Sequence, residues 1–262
     1  MAVDKMLARA REAIGRRSPG YILRAGAKIA ADWIRSRFWH FYYLVFKLRR
    51  MRKLKFVFCG LEYPYFYHSY NTTYRSERAV EIPLAVERLE CNPGKRVLEV
   101  GNVLSHYVPV SHEVLDKYER ADGIVNLLEG YRKEGAVIIN EDVSEFNPAA
   151  PYDLIISVST LEHVGWDEEP REPEKILRVL RKLTSLLAEN GVLFVTMPLG
   201  HNKFLDSALA DGRIEFGEAI WLKRVSKDNQ WKQVTAEEVA GARYGHPFPS
   251  ANAIIVGIIK RR

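Results

Sequence analysis

The chain has 262 residues and a hydrophobic fraction of 47%, room for one generous α/β domain with an appendage and too little for two large domains. Its two cysteines, Cys59 and Cys91, show neither CxxC spacing nor a neighbouring His/Cys cluster. This argues against a disulfide framework or a metal ligand set, and for a reducing, cytoplasmic setting. The net charge of +6 hides an asymmetry: residues 1–55 carry fifteen Lys/Arg against three Asp/Glu, and the rest carries 24 against 30. A nucleic-acid surface spread over the whole body is therefore disfavoured, and the basic segment is the part that seeks an anionic partner.

Residues 21–55 are expected to be helical, because Ile22, Ala25, Ile29, Trp33, Phe38, Phe41, Val45 and Leu48 recur at near-helical spacing. The longest uncharged stretch, Phe38 to Phe46, has nine residues, whereas a spanning helix needs roughly 20. Aromatic residues beside many Arg and Lys suit the headgroup layer of an anionic membrane. A helix packed as a lid on the body, or a nucleic-acid anchor, are the alternatives. Residues 56–95 are expected to connect this extension to the main domain, 96–262. Within the connector, Leu61 to Tyr70 reads as an aromatic turn. Thr73 to Leu89 reads as a helix broken or kinked at Pro83.

From residue 96, apolar runs alternate with helical patterns, the order of a doubly wound α/β fold with a mostly parallel sheet and helices on both faces. Seven strands are expected, near 96–101, 112–116, 135–140, 153–159, 191–197, 218–225 and 253–260. The clearest helix is Glu172 to Ala188, closed by Asn190-Gly191. Open α/β sheets bind ligands beyond the carboxyl ends of their strands. The first strand ends in Val97-Leu-Glu99-Val-Gly101-Asn102, the second in Asp116, the third in Asn140-Glu141-Asp142. The fourth ends in Ser157-Val-Ser159-Thr-Leu-Glu162-His163-Val-Gly-Trp166-Asp167, the fifth in Thr196-Met-Pro-Leu-Gly-His201-Asn202.

This order resembles the class I S-adenosylmethionine-dependent methyltransferase superfamily, over roughly residues 75–262, and implies a Rossmann-like fold with S-adenosyl-L-methionine as cofactor. The resemblance implies that Glu99 organises the glycine turn and that Gly101 lets backbone approach the cofactor. Two residues beyond Gly101, where the family carries a second glycine, stands Val103, and Asn102 tolerates left-handed backbone. Asp116, with Glu119 as fallback, would bind the ribose, and the short interval from Gly101 leaves room for only a stunted helix. Asp142, or Asn140 or Glu141, would lie beside the adenine, and Ser159 belongs to the same cofactor set. His163 is the implied base, partnered by Glu162 or Asp167. His106, Trp166, His201 and Asn202 would contact the acceptor, and Arg75 and Arg78 could clamp an anionic group on it. The expected activity is methyl transfer to a small or lipid-linked acceptor, a sugar among the options, near a membrane surface. An RNA acceptor and a non-catalytic binding module are the competing readings. A nicotinamide dehydrogenase lacks support, because the first turn has no G-x-G-x-x-G fingerprint.

Overall fold

All seven expected apolar segments form strands in the computed structural model of the protein, which describes residues 54–68, 70–118 and 137–261 together with Phe38 and Phe41. Of the expected helix at 21–55, only those two helical positions and Leu54 and Lys55 are described, and Lys55 begins a strand instead; the rest of it and Glu119 lie outside the described residues. Residues 54–262 form one compact unit. No helix among the described residues is long and apolar enough to cross a membrane.

The unit opens on a hairpin, β1 (Lys55–Phe58) and β2 (Leu61–Pro64). Cys59 and Gly60 take positive φ, as a two-residue hairpin turn requires. Leu61 to Pro64 is thus a strand, not a turn. Its alternation is short and the residues that follow, Tyr65 to Tyr67, are aromatic, which hid the two-residue period. After a 3₁₀ segment at Tyr70–Arg75, helix α1 (Arg78–Glu90) begins, later than the sequence suggests. The delay has a local cause: Asn71 and Thr72 hold left-handed backbone. Pro83 sits inside α1 without breaking it. The carbonyl of Ala79, which loses its helical partner to the proline, accepts instead from the amide of Phe66 at 2.9 Å.

Strands β3 (Val97–Val100), β4 (Glu113–Leu115), β5 (Val137–Ile139), β6 (Tyr152–Val158), β7 (Leu187–Pro198), β8 (Glu218–Arg224), β9 (Trp231–Val234) and β10 (Ala253–Lys260) form one sheet in the order β5-β4-β3-β6-β7-β10-β8-β9. The pairings from β5 to β7 are parallel, and those involving β10 or β9 are antiparallel. This is the Rossmann-like, mostly parallel sheet expected, with eight strands among the described residues rather than seven. The additional β9 is a polar edge strand (Trp-Lys-Gln-Val) in which Trp231 alone supplies a deep apolar anchor.

Both faces of the sheet are covered, which is why its central strands have no polar face. Ile82, Leu84 and Ala85 of α1 pack with Leu154, Ile156, Phe194 and Val256. On the other face, Ile176, Val179 and Leu183 of α2 (Lys175–Ser185) and Leu205 of α3 (Lys203–Ala210) pack with Ile155, Leu193, Val195 and Ile255. Helix α2 is shorter than the expected Glu172–Ala188, and Asn190-Gly191 does not cap it. Those two residues form a bulge within β7, where the register with β6 shifts after Tyr152↔Leu187. Asn190 has φ 61°, and a Cβ on Gly191 would press against the carbonyl of Tyr152.

Candidate functional site

At the carboxyl edge of β3 the chain turns at Gly101, whose φ of 82° suits glycine and whose missing Cβ leaves space filled by the Thr160 side chain. Asn102 is not in the left-handed region, so Gly101 alone makes the turn. The loop is pinned by Glu99, a fully buried carboxylate that accepts from the amides of Val103 and Leu104 at 2.8 and 2.7 Å. Its second oxygen meets His112 at 2.9 Å. Glu99 thus holds the loop from inside. The single 3₁₀ turn Leu104–His106 replaces a full crossover helix, and this brings Asp116 to the end of β4 as the short spacing requires. Asp116 accepts from the amides of Asn102 and Tyr118, each at 2.9 Å.

A cavity of about 170 Å³ lies over this edge, bounded by Gly101, Asp116, Glu141, Asp142, Thr160 and His163, with the apolar Leu115, Val143 and Val164. Asp142 reaches its wall, yet its carboxylate is occupied: Lys117 and Lys175 donate to one oxygen at 2.9 and 2.7 Å, Ser144 to the other. Burial raises its pKa, but hydrogen bonds from Lys175, Ser144 and Lys117 outweigh that and hold it well below the ordinary range.

A second, polar cavity of about 240 Å³ lies beyond the end of β6, lined by Ser76, Glu77, Arg78, Ser159, Glu162, His163, His201 and Tyr244 among others. The segment 159–163 is the wall between the two, and among the described residues His163 is the one lining both. Its Nδ1 meets Asp167 at 2.5 Å, and Asp167 also meets Nε2 of His201 at 3.1 Å. Burial pushes the Asp167 carboxyl up, but the bonds from His163 and His201 prevail and hold it below its ordinary range. Glu162 lies 3.5 Å from His163 Nε2, beyond a good hydrogen bond. Asp167 is therefore the ring's orienting partner. The donor atoms of His163, Asp167 and His201 lie within 4.8 Å of one another, a spacing that can also hold a cation.

Behind this array, Glu162 is 2% exposed, and burial pushes its carboxyl well above the ordinary range. Arg78 pairs with Glu81 at 3.0 Å and donates to the carbonyls of Val158 and Ser159. It is committed within the protein and does not reach out as an anion clamp. Burial, with the carboxylates of Glu77 and Glu162 nearby, pushes the Tyr244 phenol up to about 12, so it stands as a hydroxyl.

Several expected site residues fall elsewhere. Ser159 lines the polar cavity rather than the first one, and its hydroxyl donates to Glu81 at 2.7 Å. Asn202 is fully buried and caps α3: its oxygen accepts from the amides of Phe204 and Leu205, and its nitrogen donates to the carbonyl of Glu162. Trp166 lies under the guanidinium of Arg171, outside both cavities. His106 stacks on Tyr70 at 4.7 Å, also outside them. Glu77, Glu81 and Tyr244 were not anticipated. Their positions read as ordinary helix or loop, and no sequence signal ties them to residue 163.

Residues 74–252 match the family described as methyltransferase domain. No curated protein matches the chain in sequence. Similar solved structures include the N-methyltransferase NodS from Bradyrhizobium japonicum WM9 in complex with S-adenosyl-L-homocysteine, at 14% identity over 71% of this chain and 91% of that one, with a TM-score of 0.42. An rRNA methylase from Streptococcus thermophilus is 14% identical over 70% of this chain and 97% of that one, with a TM-score of 0.41.

Proposed function

The chain belongs to the methyltransferase-domain family, and we propose that it moves a methyl group from S-adenosyl-L-methionine to a small or lipid-linked acceptor. The cofactor is assigned to the cavity over β3 and β4, and the acceptor to the polar cavity. The observation that carries this reading is that His163 lines both. The residues present fit the cofactor. Gly101 lines the cavity at the turn after β3, Asp116 ends β4 as a ribose-binding carboxylate would, and Leu115, Val143 and Val164 offer apolar surface. When bound, the cofactor supplies an electrophilic methyl group on a good leaving group.

The protein's part is alignment and proton removal. Asp167 accepts from Nδ1 of His163 and so leaves Nε2 as the basic nitrogen. His163 Nε2 would take the proton of the acceptor hydroxyl as that oxygen acts as nucleophile toward the methyl group the cofactor would supply. Calorimetry with S-adenosylhomocysteine tests the cofactor assignment: no binding at millimolar concentration favours a non-catalytic module.

The basic, aromatic residues 1–55 hold the enzyme at an anionic membrane. An acid-rich body suits a small or lipid-linked acceptor better than RNA, whose enzymes line the cleft with positive charge. Sedimentation of the full chain with phosphatidylserine vesicles, against binding to single-stranded RNA, separates the two. Tighter RNA binding at physiological salt would overturn the membrane assignment.

A further inference from the structure

Two side chains on the polar cavity are over nine-tenths buried and leave an atom without a hydrogen-bond partner, Oε2 of Glu162 and Oγ of Ser76. Buried polar atoms are nearly always paired, and both unpaired ones belong to residues in this cavity's wall. The backbone points the same way. Asn71, Ser159 and Ser250, all on this wall, hold φ of 52°, 38° and 67°. Left-handed backbone outside glycine is strained and concentrates at binding sites.

The wall charges narrow the ligand. Glu77 and Glu162 face Arg78, His163 and His201. Glu77 accepts from the amide of Ala251, and Arg78 is committed to Glu81 and two carbonyls. A phosphate or carboxylate would find the Glu162 carboxyl and no guanidinium fork turned toward it. An ammonium would sit beside the Arg78 guanidinium. A hydroxyl both donates and accepts, and the remaining wall groups (Ser76, Tyr244, Asn71) are neutral donors and acceptors of the same kind. The volume, about 240 Å³, is below the range of drug-sized pockets and admits one small ring.

We infer that the polar cavity takes an uncharged polyhydroxylated acceptor, such as one sugar ring, through hydroxyls that hydrogen-bond Glu162 and Ser76. The inference rests on this cavity being the acceptor site of the proposed reaction.

The test uses the full chain, methyl-labelled S-adenosylmethionine and a panel of neutral methyl hexopyranosides. Each is matched by the derivative carrying an amine or a carboxylate in place of the primary alcohol. A neutral hexoside is expected to be methylated at least about tenfold faster than its charged counterparts, a difference equivalent to one decade of affinity. Glu162→Leu and Ser76→Ala are each expected to raise KM for that hexoside about tenfold, while S-adenosylhomocysteine affinity, read by calorimetry, stays unchanged. Should either variant fail to fold, the comparison of neutral and charged probes on the unaltered chain decides alone. Faster turnover of an amine or carboxylate, or no turnover of any neutral hexoside by a chain that binds S-adenosylhomocysteine, overturns the polyol assignment and leaves the cofactor assignment standing. A chain that does not bind S-adenosylhomocysteine overturns the underlying reading instead.

Discussion

The two cavities that share His163 are built in opposite ways. The one over β3 and β4 is made from short contiguous loops whose backbone amides bond to Glu99 and Asp116. The polar one gathers Ser76 to Arg78, Ser159 to His163, His201, Tyr244 and Ser250 from across the chain. Beside it lies the largely buried Arg78–Glu81 pair. The first is a loop geometry that a few local hydrogen bonds dictate. The second is a meeting of side chains that exists only once α1, β6 and β7 have packed.

If the division of labour is right, substitutions on the two sides should fail differently. The largest effect is expected from His163→Ala, which removes the proposed base. The catalytic rate should fall about 10²- to 10⁴-fold, with S-adenosylhomocysteine affinity held within a few-fold. Turnover within a few-fold of the unaltered chain would remove His163 from the mechanism, and an equal loss of cofactor affinity would erase the line between the cavities.

Gly101→Ala should do the reverse. The new Cβ would overlap the Thr160 side chain at a φ that alanine avoids, so calorimetry should show S-adenosylhomocysteine affinity falling by about tenfold or more. Denaturant unfolding should report a loss of about 1–3 kcal/mol. Unchanged affinity would show that this turn does not hold the cofactor.

Glu162→Gln sharpens the contrast through pH. The Glu162 carboxyl is raised above its ordinary value of 4.5 by burial. The native chain therefore has this group's full contribution to stability below that value and loses it as pH rises through the higher folded value. The variant loses nothing in that window. Its unfolding free energy should overtake that of the native chain as pH rises, by about 1 kcal/mol at neutral pH. A difference that does not vary with pH would mean that burial does not set this carboxyl.

The smallest effect is expected for Asn202→Ala. It removes the cap of α3 and the bond to the carbonyl of Glu162. A cost of about 1 kcal/mol in thermal unfolding is expected, with only a modest change in rate. A rate loss as large as that of His163→Ala would make Asn202 part of the acceptor site after all.

Much of the first cavity was legible because strand, glycine and acid lie within a few residues of each other. Glu99, Gly101 and Asp116 stand at strand ends that an apolar run announces. The choice between Glu162 and Asp167 was not legible: both neighbour His163 in sequence, and the fold buries one and lays the other along the imidazole. Nor was the placement of Asn202. Its carboxamide has the same donors and acceptors whether it meets an acceptor or a helix terminus, and Lys203 gives no warning that a helix begins there. β2 and β9 escaped because Glu62 and Pro64, and Lys232 and Gln233, break up the apolar runs that announced even the three-residue β4 and β5.

The sequence by itself determined the alternation of strands and helices, the burial of the sheet on both faces and the strand ends at which the cavities open. Those follow from hydrophobic periodicity and from backbone limits at single residues, which act over short stretches of chain. Tertiary structure alone decided that α1 delivers Glu77, Glu81 and Arg78 behind His163, and that Glu162 ends up out of water. Burial, and with it the protonation of a carboxyl, depends on everything packed around it and on no residue's identity alone.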